Sequence, residues 1–289
     1  MTPRFGLHSY EGKIQYPCCY MNYETMIFDL DETLVVEESS AVDAFMEICR
    51  QAEQNCGVDT EKLYAVVRET ARDIWRQSPA RPYCVEIGIN SWEGLVARFE
   101  GDEPNLWVLR EWVPHYRLDT WNRALAKCGI DNIDLAARLA DDFQRNRYSH
   151  YTLYDDAVHC LDEFSKFYRL ALLTNGPLDL QQEKIDTTGI RKYFTEIIIS
   201  GEVGYGKPDS RIYRLVLSRL SANPESAWNI GDSLERDIAG AKAIGMKTVW
   251  VNRHRVSRDE SIVPDLEVTN LEQLVTSFIP PPKNLHRLL

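Results

Sequence analysis

Residues 26–34 read Met26-Ile27-Phe28-Asp29-Leu30-Asp31-Glu32-Thr33-Leu34, an apolar run that empties into two aspartates two positions apart. The run predicts a buried strand, and Asp29 and Asp31 fall where it should end. In open α/β sheets that end faces the ligand crevice. Residues i and i+2 of a strand point to the same side, so the two carboxylates can converge on one small volume. Two such charges repel unless something cationic joins them. A hard divalent cation such as Mg²⁺ does so with oxygen ligands while also meeting a substrate phosphate. Taken alone, the stretch also reads as a strand with an acidic turn, since aspartate in turns satisfies local hydrogen bonds.

Three further strand ends narrow the choice. Leu170-Ala171-Leu172-Leu173 runs into Thr174-Asn175-Gly176-Pro177, bringing a hydroxyl and a carboxamide suited to phosphate oxygens. Glu196 to Ser200 precedes a glycine-rich stretch, Gly201-Glu202-Val203-Gly204-Tyr205-Gly206-Lys207-Pro208, read as a loop that carries one lysine. A lysine there acts as a point charge against a phosphoryl group. Ala227-Trp228-Asn229-Ile230 ends in Gly231-Asp232-Ser233-Leu234-Glu235-Arg236-Asp237, again with carboxylates just past a strand.

In this order the four motifs, spanning residues 26 to 237, resemble those of phosphatases of the haloacid dehalogenase superfamily. The resemblance implies Asp29 as nucleophile and Asp31 as general acid and base. It implies Thr174, Asn175 and Lys207 as phosphate-binding groups, and a Mg²⁺ site made by Asp29, the backbone carbonyl of Asp31 and Asp232. Thr33, Gly176 and Asp237 are expected to support these groups from behind. It also implies an α-helical cap inserted between the first two motifs, closing over the site and setting specificity.

The chemistry is consistent with that inventory. A carboxylate approaches a dianionic phosphate ester against like charge, so a cation and Lys207 must neutralise charge first. Attack yields an aspartyl-phosphate, which water then hydrolyses with Asp31 as base. Asp31 also separates phosphate ester hydrolysis from carbon–halogen cleavage, because a halide leaves without a proton. A phosphomutase uses the same residues, and access of water to the site decides between the two. A catalytically silent binding scaffold is the alternative from another class, although no chemical group of the motif set is missing.

The chain has 289 residues and a formal net charge of -11, with no lysine or arginine run of the density needed to track a phosphate backbone. This argues against polymeric nucleic acid and for a small phosphorylated metabolite. Cys18, Cys19, Cys49, Cys56, Cys84, Cys128 and Cys160 are scattered without zinc-ligand spacing and read as reduced packing residues. No apolar stretch is long enough for a membrane span and the N-terminus has no continuous signal segment, so a cytoplasmic protein is expected.

Residues 22–35 and 152–279 are read as an α/β core, a doubly wound, Rossmann-like parallel sheet. Residues 36–151 are read as the helical cap, 1–21 as an N-terminal extension without a function, and 280–289 as a tail. The cap prediction rests on apolar residues at three- and four-residue intervals, as in residues 41–49, 63–71 and 135–143. The core prediction rests on alternating strand and helix after residue 155. Ile238 to Ile244 is predicted to be helical. Segments 83–98 and 107–121 cluster aromatics with Arg98, Arg110, Arg117 and His115; they read either as helix packing or as a pocket for a polar leaving group. Arg253, His254 and Arg255 are expected to be solvated, with a place near the site mouth as the alternative. Insertion length and Asn90-Ser91-Trp92-Glu93 loosely resemble N-acylneuraminate-9-phosphatases, and motif spacing resembles pyrimidine nucleotide phosphatases. The expected substrate is accordingly a sugar phosphate or a nucleoside monophosphate.

Overall fold

A computed structural model describes residues 24–147, 151–257 and 260–279. The predicted extension 1–21 and tail 280–289 lie outside these residues. The first strand, β1 (Thr25–Phe28), is buried along its whole length. Its alternation is strict: Met26 and Phe28 enter one apolar cluster and Ile27 enters another, so the strand separates two cores. A two-residue strand β2 (Val35–Val36) follows.

Six helices come next: α1 (Glu38–Cys56), α2 (Thr60–Trp75), α3 (Arg81–Glu86), α4 (Ser91–Gly94), α5 (Pro104–Lys127) and α6 (Ile133–Arg147). They share a core of their own around Phe45, Trp121 and Phe143, with ring centroids 4.2 Å apart for Phe45 and Phe143. Full burial of each such side chain contributes on the order of 1.5–3 kcal/mol. The chain leaves this bundle through β3 (Thr152–Leu153), which pairs antiparallel with β2, Val35 opposite Leu153. The ribbon of β2 and β3 is thus the neck of the insertion. Two-residue strands show no readable alternation, and the sequence pattern did not reveal them.

The remainder alternates: α7 (Ala157–Phe164), β4 (Arg169–Thr174), α8 (Leu178–Thr187), β5 (Glu196–Ile199), α9 (Ser200–Val203), α10 (Ser210–Leu220), β6 (Ala227–Gly231), α11 (Gly240–Lys242), β7 (Lys247–Val251), β8 (Leu266–Val268) and α12 (Leu271–Phe278). The sheet order is β5-β4-β1-β6-β7-β8, and every pairing is parallel. This is a doubly wound, Rossmann-like sheet with helices on both faces, as expected. β1 lies at the centre, where the chain turns to opposite edges, and ligand crevices form at such a switch point.

Three local expectations are corrected. The stretch after β5 is not all loop: Ser200–Val203 closes one helical turn capped by Gly204 at φ 80°. Residues 238–244 do not form one regular helix, because Leu234–Ala239 winds as a wide π turn before α11. That widening lets Asp237 sit against the amide of Ser233, to which its Oδ2 is 3.0 Å away. Arg253 is not solvated: its guanidinium pairs with Asp156 at 2.9 Å, donates to the Thr33 carbonyl and lies over Tyr154 at 3.7 Å. Cys49, Cys56, Cys84, Cys128 and Cys160 are free thiols.

Candidate active site

Asp29 continues β1 beyond its last residue. Its amide donates to the Ile230 carbonyl at 2.8 Å, so the backbone at this position is held by the sheet. Its Oδ1 meets the Lys207 ammonium at 2.6 Å, and its Oδ2 accepts from the Thr33 hydroxyl at 3.3 Å. Burial raises the pKa of Asp29 in spite of the opposing Lys207 charge. Burial works against the charged form of Lys207 as well, yet Asp237 and Asp29 beside it hold its pKa above the ordinary lysine range.

Lys207 is held from both sides. The Asn175 amide donates to the Lys207 carbonyl at 2.8 Å and accepts from its backbone N–H, also at 2.8 Å. Asn175 therefore spends both ends of its side chain on the Lys207 peptide, although it still borders the cavity. The fit leaves no room for larger neighbours: a Cβ on Gly206 would lie 2.7 Å from Asn175 Oδ1. Thr174 ends β4 with its Oγ1 2.6 Å from Gln181 Nε2. The Gly176 N–H donates to Ser200 Oγ, whose hydroxyl donates to the Ile87 carbonyl at 2.6 Å and so ties the core to the insertion.

Asp29, Asp232 and Asp237 form a carboxylate cluster with one oxygen from each within 4.8 Å of the others. Burial, then Asp29 and Asp237, push the pKa of Asp232 up to about 8, so the local cations alone do not compensate this charge. Clustered all-oxygen donors, two buried and one partly exposed, suit Mg²⁺, and the residues present fit such an ion. The Asp31 carboxylate is not part of this cluster: it turns toward α8, with Lys184 Nζ 2.8 Å from Oδ1 and Gln181 Nε2 2.9 Å from Oδ2. The third carboxylate facing the cluster comes from Asp237, which also pairs with Lys207 at 2.6 Å.

Gly231 makes that last contact possible. A Cβ there would lie 2.3 Å from Asp237 Cγ, inside any tolerable contact. Gly231→Ala is expected to lower unfolding free energy by about 2 kcal/mol through overpacking, read as a shifted urea midpoint.

Asp29, Asp31, Thr174, Asn175, Lys207, Asp232 and Asp237 border one cavity of about 310 Å³. Its far wall comes from the insertion: Gly88, Asn90, Trp92 and Glu93, with Glu32, Glu37 and Glu38 at the neck. Burial, partly opposed by Lys184, pushes the Glu93 carboxyl up to about 8. Segment 107–121 packs within the insertion: Trp112 and Tyr116 stack at 5.0 Å, and Tyr116 donates to the Ser91 carbonyl at 2.7 Å. His115 is exposed, and no residue of that segment borders this cavity.

Glu37, Gln181, Lys184 and Arg147 were not singled out from the sequence. Glu37 meets Lys184 at 3.0 Å and Arg147 at 2.7 Å. Burial alone would raise the Glu37 pKa, but Lys184 and Arg147 hold it down from 4.5 to about 2. Because the folded value is depressed, its stabilisation is present above the unfolded pKa and is lost as pH falls from about 4.5 toward 2. The shift corresponds to about 3 kcal/mol. Glu37→Gln should flatten the acid limb of a stability–pH curve in this window, measured by denaturant melts. The readable signal was a polar pair, Gln181 and Lys184, spaced i, i+3 just after the Thr174 motif, hence on one helix face.

A family profile described as haloacid dehalogenase-like hydrolase matches residues 23–245. The chain belongs to this family. Among similar proteins, phosphoserine phosphatase from Thermus thermophilus is 35% identical over 250 residues, 86% of this chain and 96% of that protein. N-acylneuraminate-9-phosphatase from Mus musculus is 36% identical over 162 residues, 55% of this chain and 65% of that protein. Among solved structures, the Bacillus subtilis HAD-hydrolase YfnB bound to magnesium has a TM-score of 0.61 at 22% identity, covering 88% of this chain and 97% of that one. The L-2-haloacid dehalogenase of Xanthobacter autotrophicus has a TM-score of 0.54 at 20% identity, covering 89% and 99%. These two share the fold.

Proposed function

We propose that the chain hydrolyses a small phosphate monoester through an aspartyl-phosphate on Asp29, with Mg²⁺ held by Asp29, Asp232 and the backbone carbonyl of Asp31, and with Asp237 beside them. That it is a phosphoric monoester hydrolase rests on its family and on phosphatase relatives such as the one matching over 86% of its length. The single observation behind the mechanism is convergence. Asp29, Thr174, Lys207, Asp232 and Asp237 follow or end four different strands, β1, β4, β5 and β6, and border one cavity with Asp31.

An Asp29 carboxylate oxygen forms a bond to phosphorus while the ester P–O bond breaks, and Asp31 gives its proton to the departing alkoxide. Asp31 then takes a proton from water as that water attacks phosphorus and the Asp29–phosphorus linkage breaks. Lys207 offsets phosphoryl charge, and Thr174 offers a hydroxyl to a phosphoryl oxygen. When bound, Mg²⁺ would supply the remaining positive charge that a carboxylate nucleophile needs beside an anionic ester.

We take residues 36–151 as the cap over the site and a cytoplasmic location as part of this reading. A cavity of about 310 Å³ is at the small end for ligand sites, and it must hold the phosphoryl group too. Its insertion-side wall is rich in carboxylates and carries no lysine or arginine among the described residues. Both points favour a small alcohol, neutral or bearing an ammonium group, over a nucleoside. Phosphoserine, for which a relative 35% identical over 86% of this chain is named, is the first candidate, its ammonium suited to the acidic wall and its carboxylate to Arg236 on the same cavity, ahead of the sugar phosphates and nucleoside monophosphates expected from the sequence.

Phosphate release should be measured from phosphoserine, sugar phosphates and nucleoside monophosphates, with Mg²⁺ and with chelator. The expected result is Mg²⁺-dependent release, highest kcat/KM on phosphoserine, and loss to background with chelator. A preference for nucleoside monophosphates would overturn the substrate assignment; undiminished turnover in chelator would overturn the metal assignment.

A further inference from the structure

Among the buried charges of the described residues that the proposed mechanism does not use, Lys184 lies nearest the reacting groups. Lys184 is fully buried on α8, yet it points at the cavity edge, where it meets Asp31 Oδ1 at 2.8 Å. Gln181, one turn earlier and also fully buried, meets Asp31 Oδ2 at 2.9 Å. The two donors occupy both oxygens of one carboxyl group from behind, which fixes its rotation. Each oxygen keeps a second lone-pair direction, free for a proton shared with a leaving group. A buried ammonium is expensive to maintain, and ion pairs of this kind are weak grounds for stability. Neutralising Lys184 does not itself require Asp31, since Glu37 already faces it at 3.0 Å.

From this geometry we propose that Lys184 is a positioning residue for Asp31 and links its orientation to the neck of the insertion. The inference rests on the reading that Asp31 is the acid and base of a phosphatase. Glu37, immediately before α1, shares the Lys184 ammonium, and Arg147, the last residue of α6, pairs with Glu37. The first and last helices of the insertion therefore end in one charge cluster with Asp31. Trp92 of the cavity wall adds a contact, its Nε1 3.4 Å from Glu37 Oε1.

The test separates acid catalysis from general damage through the leaving group. An alkyl phosphate such as phosphoserine needs a proton on its departing oxygen, whereas p-nitrophenyl phosphate releases a stable phenolate without one. Since kcat/KM covers the steps through departure of the alcohol, it reports this difference for both esters. Lys184→Met should lower kcat/KM at least about 30-fold on phosphoserine and no more than about threefold on p-nitrophenyl phosphate. Lys184→Arg should recover most of the loss. In an Asp31→Asn background, Lys184→Met should add little further loss on phosphoserine, because both changes act through one group.

Equal losses on the two esters, or full additivity with Asp31→Asn, would overturn the proposal and leave Lys184 a structural ion pair. Should Lys184→Met not fold, the pair Lys184→Met/Glu37→Gln, which removes one charge of each sign, is read by the same ratio. If wild-type protein prefers another alkyl phosphate of the panel above, that ester replaces phosphoserine in the same ratio; wild-type protein that hydrolyses no ester of the panel would instead defeat the underlying phosphatase reading, and the inference with it.

Discussion

Asp29→Asn is expected to abolish turnover, by at least about 10⁴-fold in kcat, while the protein stays folded. The amide keeps the shape of the side chain and can still accept from Lys207, which lies 2.6 Å from Oδ1, but it lacks the charge and lone-pair basicity to attack phosphorus. Folding should survive for a physical reason. Asp29, Asp232 and Asp237 crowd three carboxylates within 4.8 Å, and removing one negative charge relieves repulsion that Lys207 and Arg236 must otherwise offset. The measurements are phosphate release on the preferred substrate, trapping of labelled phosphoenzyme, and a thermal melt. Wild-type protein should retain label after rapid acid quench, and the variant should retain none. Folded variant with near-normal turnover would rule out the covalent route; a scaffold whose role is binding alone would keep its ligand affinity through this change.

Lys207→Met should cost both activity and stability. Removing the ammonium takes away a charge that faces the phosphoryl group, with an expected loss of about 10³-fold in kcat/KM. It also strands Asp29 and Asp237, each 2.6 Å from Nζ and both buried. Breaking a buried pair by removing one partner costs about 3–5 kcal/mol, and this site has two acceptors on one donor. Part of that cost should return with Mg²⁺, which would supply positive charge to the same carboxylates. The expected pattern is a lowered Tm in chelator and a larger rise in Tm on adding Mg²⁺ than wild type shows. A variant that melts like wild type in chelator would show that the Lys207 pairs contribute no net stability.

The succession of strands along the chain and the groups at their ends were readable because strand ends in a parallel sheet are local events. Met26 to Phe28, Leu170 to Leu173 and Glu196 to Ile199 are short apolar runs flanked by polar residues, and each forms a strand within a residue or two of where its pattern stops. Less was readable where the partner is distant. β2 and β3 are two residues each and meet across the whole insertion, so neither carries a periodic signal. β8 was not anticipated either; its register opposite β7 is set by pairing of Val249 with Leu266.

The aromatic segments show the same limit. Residues 83–98 and 107–121 both combine rings with polar groups, and composition does not tell them apart. Folding sends Trp112 and Tyr116 into the helical core and brings Asn90, Trp92 and Glu93 to the cavity wall. The difference lies in the connection: short helices α3 and α4 carry residues 81–94 across to the core, where Ser200 fastens the Ile87 carbonyl.

From sequence alone came the α/β class, the four motifs and the groups Asp29, Asp31, Thr174, Lys207 and Asp232, because Asp29, Asp31, Thr174 and Asp232 sit within a few residues of a strand end that their own neighbours define, and Lys207 stands in a glycine-rich stretch after another. Tertiary structure decided what those groups face. It turned Asp31 toward Lys184 and Gln181, brought Asp237 beside Asp29 and Asp232, and committed Asn175 to the Lys207 peptide. Hydrophobic periodicity reports which side of an element is buried, but the direction of a buried polar side chain depends on a partner far along the chain. Asp31 and Lys184 are 153 residues apart, and only the packed fold brings them within 2.8 Å.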